Sequence, residues 1–382
     1  MRLLRYILLS VFLAGCLCGC EYYLPLEGLD NDSKLYVQCI AGNSERTYIN
    51  VQKALGVNST GEIMPDVENI SLKVNGRECS IEKLILPDPP QQGYYDPEIG
   101  YIYREDEEYD SDYWTLRRYN LWYTDAPIKD GDDLSLEVAA RGMESVSANV
   151  KVPQKVVIQE VNAAPRCSTI TEFDNTYRMS YMSFDVSLAD ISADDYYGLC
   201  IEMDVTTSYA YFDGHTETYS HKNYGNIITW DSGSGMTDVL ESQGDWIDAY
   251  YNNYFIDSYA SSGLHLIPGS CLKDGHLKFD CNLEFSSDSI SDVCDFDENG
   301  QLTIVGQVHI KTDSKYKVSI YRVSPEFYRF NKAQYLLRTN YLAELGLSPS
   351  TFSYTNVRGG FGVLGALTCS STPWYQAPAE PE

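Results

Sequence analysis

Several stretches of this 382-residue chain place chemically capable residues at telling spacings. Gly360-Phe-Gly362-Val-Leu-Gly365 spells G-x-G-x-x-G, the pattern that lets a dinucleotide pyrophosphate approach backbone at a helix N-terminus. That use requires a strand before the glycines and a helix after them, whereas a helix and a loop are expected before these. The same glycines suit close backbone approach within a final strand. Asp295-Phe-Asp297-Glu-Asn299-Gly300 reproduces the first half of an EF-hand loop, with Asp295, Asp297 and Asn299 at ligand positions. The closing bidentate glutamate is missing, because Gly306 stands there, and Asn299-Gly300 also reads as a hairpin turn. The acidic run from Glu105 to Asp112 could gather calcium, although such runs are ordinarily solvated loops. Calcium is thus the one cation with even a partial motif, and no other cofactor is expected.

Nucleophilic chemistry finds less support. The five histidines, His215, His221, His265, His276 and His309, form no His-x-x-x-His pattern, and none is expected to pair locally with a carboxylate. No G-x-S-x-G elbow occurs. A glycosidase needs two opposed carboxylates, and 55 acidic residues single out no pair. The sequence therefore predicts a protein that is not an enzyme. Its aromatic side chains suggest contact instead. Tyr94, Tyr95, Tyr113, Trp114 and Trp122 lie in one cluster and Trp246 and Tyr250 in another, where rigid amphipathic rings could meet a ligand or partner. With 32 tyrosines, cross-strand pairing in a β-rich body explains many of the rings equally well.

The elements that must position these residues are mostly strands. Ile70, Leu72 and Val74 alternate before Asn75-Gly76, a type I′ turn signal. Leu134, Leu136 and Val138 form a second hairpin with Val146, Ala148, Val150 and Val152 across Arg141-Gly142. Residues 87–125, rich in Pro, Tyr and acid, are read as an insertion. Pro153 to Pro165 is read as a domain join. A second β series follows in Met182, Phe184, Val186 and Leu188, in Tyr197 to Val205, in Leu302 to Ile310, and in Tyr316 to Ile320. Residues 206–275 look like long loops, with a short helix near Thr237–Tyr254. One helix is strongly marked over 324–346: Ser324 suits the N-cap, Pro325 the first turn and Gly346 the stop. The expected class is mainly β: two β-sandwich-like domains, the N-terminal one immunoglobulin-like or transthyretin-like over 21–153 and a larger antiparallel one over 154–370. The tail 371–382 is expected to be disordered.

The first twenty residues, MRLLRYILLSVFLAGCLCGC, supply an address. Arg2 and Arg5 precede an apolar run, Tyr6 to Ala14, too short for a span that needs about 20 residues. Leu13-Ala14-Gly15-Cys16 and Leu17-Cys18-Gly19-Cys20 both resemble the bacterial lipobox, whose cysteine is acylated. Cys16 fits the consensus better, Cys20 gives the more usual signal length, and the sequence leans to Cys20. Several acyl chains anchor a protein durably in a bilayer. The formal charge is −27, and removing residues 1–20 takes away two arginines and no acid, leaving −29. So acidic a surface argues against nucleic acid as a partner. Eight cysteines follow Cys20, an even number that an exported chain could pair, with no zinc spacing among them.

The lipobox, Leu35-Tyr-Val-Gln-Cys-Ile, the Asn75-Gly76 hairpin, Val150-Lys-Val-Pro153, Asp194-Asp-Tyr-Tyr-Gly-Leu, Ser324-Pro-Glu-Phe-Tyr-Arg-Phe and Thr355-Asn-Val-Arg-Gly-Gly-Phe-Gly-Val-Leu-Gly-Ala366 occur in that order. Together they resemble a family of exported Bacteroidetes lipoproteins known as domain of unknown function 4249. The 87–125 insertion and the cysteine content depart from that pattern. The resemblance implies a lipid-anchored outer-membrane protein, on an undetermined face, acting as an accessory or ligand-binding component beside a TonB-dependent nutrient receptor. A structural or adhesive surface subunit is the alternative, and a hydrolase the least supported.

Overall fold

The computed structural model describes residues 33–42, 46–55, 63–85, 94–96, 100–102, 120–172, 175–230, 247–248, 264–272, 275–296, 302–339 and 354–381. Residues 34–54 and 62–382 group into one unit, whose described parts are the subject below; the second grouping, 1–33 with 55–61, lies almost wholly outside the described residues. In chain order the strands are β1 (Lys34–Ala41), β2 (Thr47–Ala54), β3 (Val67–Val74), β4 (Arg77–Glu78), β5 (Glu82–Lys83), β6 (Tyr94–Asp96), β7 (Gly100–Ile102), β8 (Leu121–Thr124), β9 (Asp133–Ala140) and β10 (Val146–Lys151). They continue as β11 (Val157–Glu172), β12 (Asn175–Ala189), β13 (Tyr196–Tyr211), β14 (Thr216–Tyr224), β15 (Asn226–Trp230), β16 (Ile247–Asp248), β17 (His265–Pro268), β18 (His276–Asn282), β19 (Ser287–Phe296) and β20 (Leu302–Val323). Helix α1 (Pro325–Thr339), β21 (Phe361–Ser371) and β22 (Tyr375–Gln376) complete the series. The class is mainly β with one α-helix, near the C-terminus, among the described residues.

One sheet runs β16-β17-β13-β20-β21-β1-β2-β8-β5, with β14 added to β13 and β19 and β22 added to β20. Two four-stranded sheets, β10-β9-β3-β4 and β11-β12-β18-β15, pack against it. Alternation decides which face is buried. Leu134, Leu136 and Val138 of β9 meet Val37, Cys39, Ile49 and Val51 in one core. Phe184 and Phe279, stacked with centroids 5.0 Å apart, meet Ile201, Met203, Tyr316 and Val318 in another. A third core, with Phe327, Phe330, Val363 and Leu367, lies under α1. The strand β21 pairs in parallel with β1 (Val37 opposite Gly362, Cys39 opposite Leu364) and antiparallel with β20, so it joins the first strand to the C-terminal series.

The helix starts as its residues predict. Ser324 Oγ accepts from the Phe327 amide (3.3 Å) and from the Ala366 amide (3.1 Å), while the Ser324 amide donates to the Ala366 carbonyl (2.7 Å). One hydroxyl thus caps the helix and ties it to β21. Residues 340–346, including the expected Gly346 stop, lie outside the described residues. The Asn75-Gly76 turn has φ of 51° and 78°, the signs a type I′ turn requires.

Four expectations are corrected. Residues 206–230 are not loop: β13 extends to Tyr211, and β14 and β15 follow. Ser, Thr and Tyr on both faces hide the alternation there, while pairing with β20 and β14 supplies the backbone partners. Of the helix expected near Thr237–Tyr254, only Ile247–Asp248 is described, and it is strand. The expected join at Pro153–Pro165 is strand from Val157 onward; Pro165 is tolerated because β11 is a sheet edge. The tail is also placed through residue 381: Ala377 is buried, the Ser286 amide donates to the Pro378 carbonyl (3.1 Å), and Ser180 donates to Glu380 (2.9 Å).

Candidate contact surface

The glycine motif proves structural. A Cβ at Gly362 would stand 1.9 Å from the Val37 carbonyl oxygen, and one at Gly360 2.4 Å from that of Leu35. Both carbonyls belong to β1, so the glycines admit the parallel pairing. Asn356 completes the segment by pairing with Leu364 as a strand would: its amide donates to the Leu364 carbonyl (2.9 Å) and its oxygen accepts from the Leu364 amide (3.0 Å).

Of the predicted ligand contacts, Trp122 is on β8, partly buried against the N-terminal core, with the Lys83 ammonium 5.3 Å from its ring centroid. Tyr94 and Tyr95 lie on β6, opposite Ile102 and Tyr101 of β7. Tyr113, Trp114, Trp246 and Tyr250 lie outside the described residues, as do Cys16 and Cys20. Asp295 is on β19 opposite Thr303, while Asp297 and Asn299 fall outside. Among the described residues no group of three or more His, Cys, Asp or Glu could hold a metal ion. The seven cysteines with described side chains are free thiols. Burial pushes Cys39 up to about 12 and Cys200 well above the ordinary thiol range, so neither supplies a thiolate near neutral pH.

The histidines behave differently from expectation. Four pair with carboxylates: His215 with Glu217 (3.1 Å), His221 with Glu284 (3.4 Å), His276 with Asp185 (2.7 Å) and His309 with Asp288. Two of these pairs, His276–Asp185 and His309–Asp288, cross strands, and His221–Glu284 joins β14 to the connection after β18, which sequence spacing does not reveal. The Tyr219 hydroxyl and then His215 hold the Glu217 carboxyl below its ordinary value. Burial lowers the pKa of the fifth, His265, to about 4.

Among the described residues, the hairpin of β19 and β20 carries a group of exposed apolar side chains. Val293 opposes Gly306 but Cys294 opposes Ile304, so Val305 is the extra residue of a β-bulge. The bulge resets the alternation of β20. Val308 turns to the core and is 6% exposed, whereas Ile304 and Leu302 line up with Cys294 and Ile290 on one open face. Ile290 is 68%, Ile304 65% and Leu302 63% exposed. Acid interrupts and flanks these side chains: Asp292, between Ile290 and Cys294 on the same face, accepts from Gln307 (3.1 Å), and Asp288, beyond Ile290, pairs with His309. Phe212, itself exposed, lies across Gly306, where a Cβ would stand 2.1 Å from its ring. Apolar side chains grouped in water on a strand pair are unfavourable unless another surface covers them. Sequence reading placed Leu302, Ile304, Val308 and Ile310 on one strand but not on two faces. Gly306 within the run is the one signal of a bulge.

Such an arrangement, one extended sheet with a packed strand at its centre and an apolar hairpin at its margin, defines a mainly β protein. The model of the family described as domain of unknown function (DUF4249) matches residues 21–372. The chain belongs to that family. No curated protein is significantly similar to it in sequence.

Proposed function

We propose that this chain is a non-catalytic lipoprotein, acylated at Cys20 or Cys16 and held at the outer membrane, that serves as an accessory or ligand-binding partner of a TonB-dependent nutrient receptor. The observation that carries the reading is the stripe of Ile290, Cys294, Ile304 and Leu302 on a hairpin exposed on both faces at its end. The acids among and beside these residues, Asp292 and Asp288, in a chain of net charge −27, suit a partner groove that is apolar with basic groups. The short apolar run and lipobox at the start of the chain support the membrane location.

The test is co-purification. The full-length tagged protein, extracted in mild detergent, should bring down an outer-membrane receptor, and incorporate labelled palmitate. Ile290→Asp with Ile304→Asp should abolish the receptor band while leaving the circular-dichroism melt unchanged. A chain that emerges alone, or that keeps its receptor with both aspartates in place, sinks the reading.

A further inference from the structure

We infer that the sheet face opposite the Phe184–Phe279 core carries a binding platform for a neutral oligosaccharide, with Trp374 as its stacking ring. On β13 the residues between core-facing Ile201, Met203 and Val205 are Glu202 and Asp204, which point the other way. Register sets their neighbours. Glu202 stands opposite Tyr224 and Lys317, and Asp204 opposite Lys222 and Lys315. The Lys317 ammonium is 2.9 Å from Glu202, whose other oxygen accepts from Ser319 (3.2 Å).

The C-terminal strand completes the first of these rows. Thr372 donates to the Val318 carbonyl (3.0 Å) and Tyr375 pairs with Tyr316, so Pro373 and Trp374 together oppose Lys317. This places the Trp374 ring with the Lys317 ammonium 5.0 Å from its centroid and 40% of its surface exposed. Gln376, opposite Lys315, donates to Asp313 (2.5 Å) and ends the second row. The first row crosses three strands to reach Trp374 and the second crosses four, about 14 Å at the usual strand spacing, enough for several sugar rings.

The charge on this face identifies the ligand class. Three lysines, Lys222, Lys315 and Lys317, stand among three carboxylates, Glu202, Asp204 and Asp313, in a chain of net charge −27. A local balance within so acidic a protein favours neither anion nor cation. It offers donors and acceptors in alternation, which a polyol uses and an apolar chain does not. A sugar ring presents an apolar C–H face to the indole and a hydroxyl rim to the lysines and carboxylates. No bond is made or broken; the platform binds.

The experiment titrates the full-length protein, in a detergent without a sugar headgroup, with neutral hexasaccharides: α-1,4-, β-1,4- and β-1,3-linked glucose and β-1,4-linked mannose. Tryptophan fluorescence and calorimetry report binding to the chain alone, so the result does not depend on any receptor. At least one hexasaccharide should bind, and Trp374→Ala should weaken it by about tenfold or more, with Trp374→Phe retaining most of the affinity. Lys315→Glu, at an exposed position, unbalances the charge and should weaken the same ligand even if Trp374→Ala fails to fold. No binding by any member up to about 10 mM, or binding that neither Trp374→Ala nor Lys315→Glu weakens, overturns the proposal.

Discussion

Two strands of one sheet, β21 and the first half of β20, show opposite relations between sequence and surroundings. From Gly362 to Thr368 every residue of β21 is buried, because sheet cores and α1 press on both faces. From Leu302 to Val305 every residue of β20 is exposed. Each side chain of β21 is therefore set by its neighbours, and at Gly362 the β1 backbone requires the absence of a side chain altogether. The end of β20 is paired with β19 but, among the described residues, its side chains are exposed on both faces, yet it keeps Leu302, Ile304 and Val305. Packing explains the residues of the first strand. It does not explain those of the second, and that difference is what directs attention to the hairpin as a surface for contact.

The comparison breaks most sharply at the glycines. Gly362 has φ of 108° and its would-be Cβ lies 1.9 Å from the backbone oxygen of Val37, which cannot move without opening the β1–β21 ladder. Gly362→Ala should cost about 3 kcal/mol or more, seen as a lower melting temperature or loss of folded protein. His265, on β17, gives the next largest effect. Above about pH 6.5 its imidazole is neutral in folded and unfolded chains alike. Between about 6.5 and about 4 the unfolded chain takes up a proton that burial denies the folded one, so stability falls across that window and no further below it. The loss should be on the order of 2–3 kcal/mol. Comparing denaturant midpoints of the wild type and His265→Leu at pH 7 and 4.5 checks it, because the variant lacks this part of the slope. Ser324→Ala removes the hydroxyl that caps α1 and holds β21, and should cost about 1–2 kcal/mol in the same denaturation assay.

What was legible follows from the same contrast. The hairpins at Asn75-Gly76 and Arg141-Gly142, the Ser324 cap and the alternating core of β12 were readable because local geometry and one-sided burial each leave a period or a turn signal. The distal halves of β13 and β14 were not. Thr206, Thr207, Ser208, Tyr209 and Tyr219 pair well in a sheet but show no apolar face, so they resemble loop. The candidate surface was half legible. Leu302 and Ile304 were recognisable as strand, but their separation from Val308 rests on one extra residue, Val305, whose effect depends on the register with β19. The pairing of His221 with Glu284 and of His276 with Asp185 spans 63 and 91 residues, and nothing local announces it.

A second glycine sharpens the contrast between the strands. Gly306→Ala would place a methyl group 2.1 Å from the Phe212 ring, nominally as severe as the clash at Gly362. Phe212 is 65% exposed and can swing into water, whereas the Val37 carbonyl is held in a ladder. The cost should therefore stay below about 1 kcal/mol, as for ordinary surface substitutions.

The smallest effect on stability is expected from the stripe itself. Ile304→Ser removes an exposed side chain that gains nothing from the fold, so the melt should shift by no more than about 0.5 kcal/mol in either direction. If the hairpin were merely a spare edge, the substitution would also leave every interaction intact. If it is a contact surface, the same change strips apolar area from the middle of the stripe, between Leu302 and Cys294, where a partner would cover it most completely. Receptor recovery in the pull-down should then fall by about tenfold while the melt stands still. A measurable loss of stability would show instead that Ile304 is held by the fold, and the contrast between the two strands would lose its basis.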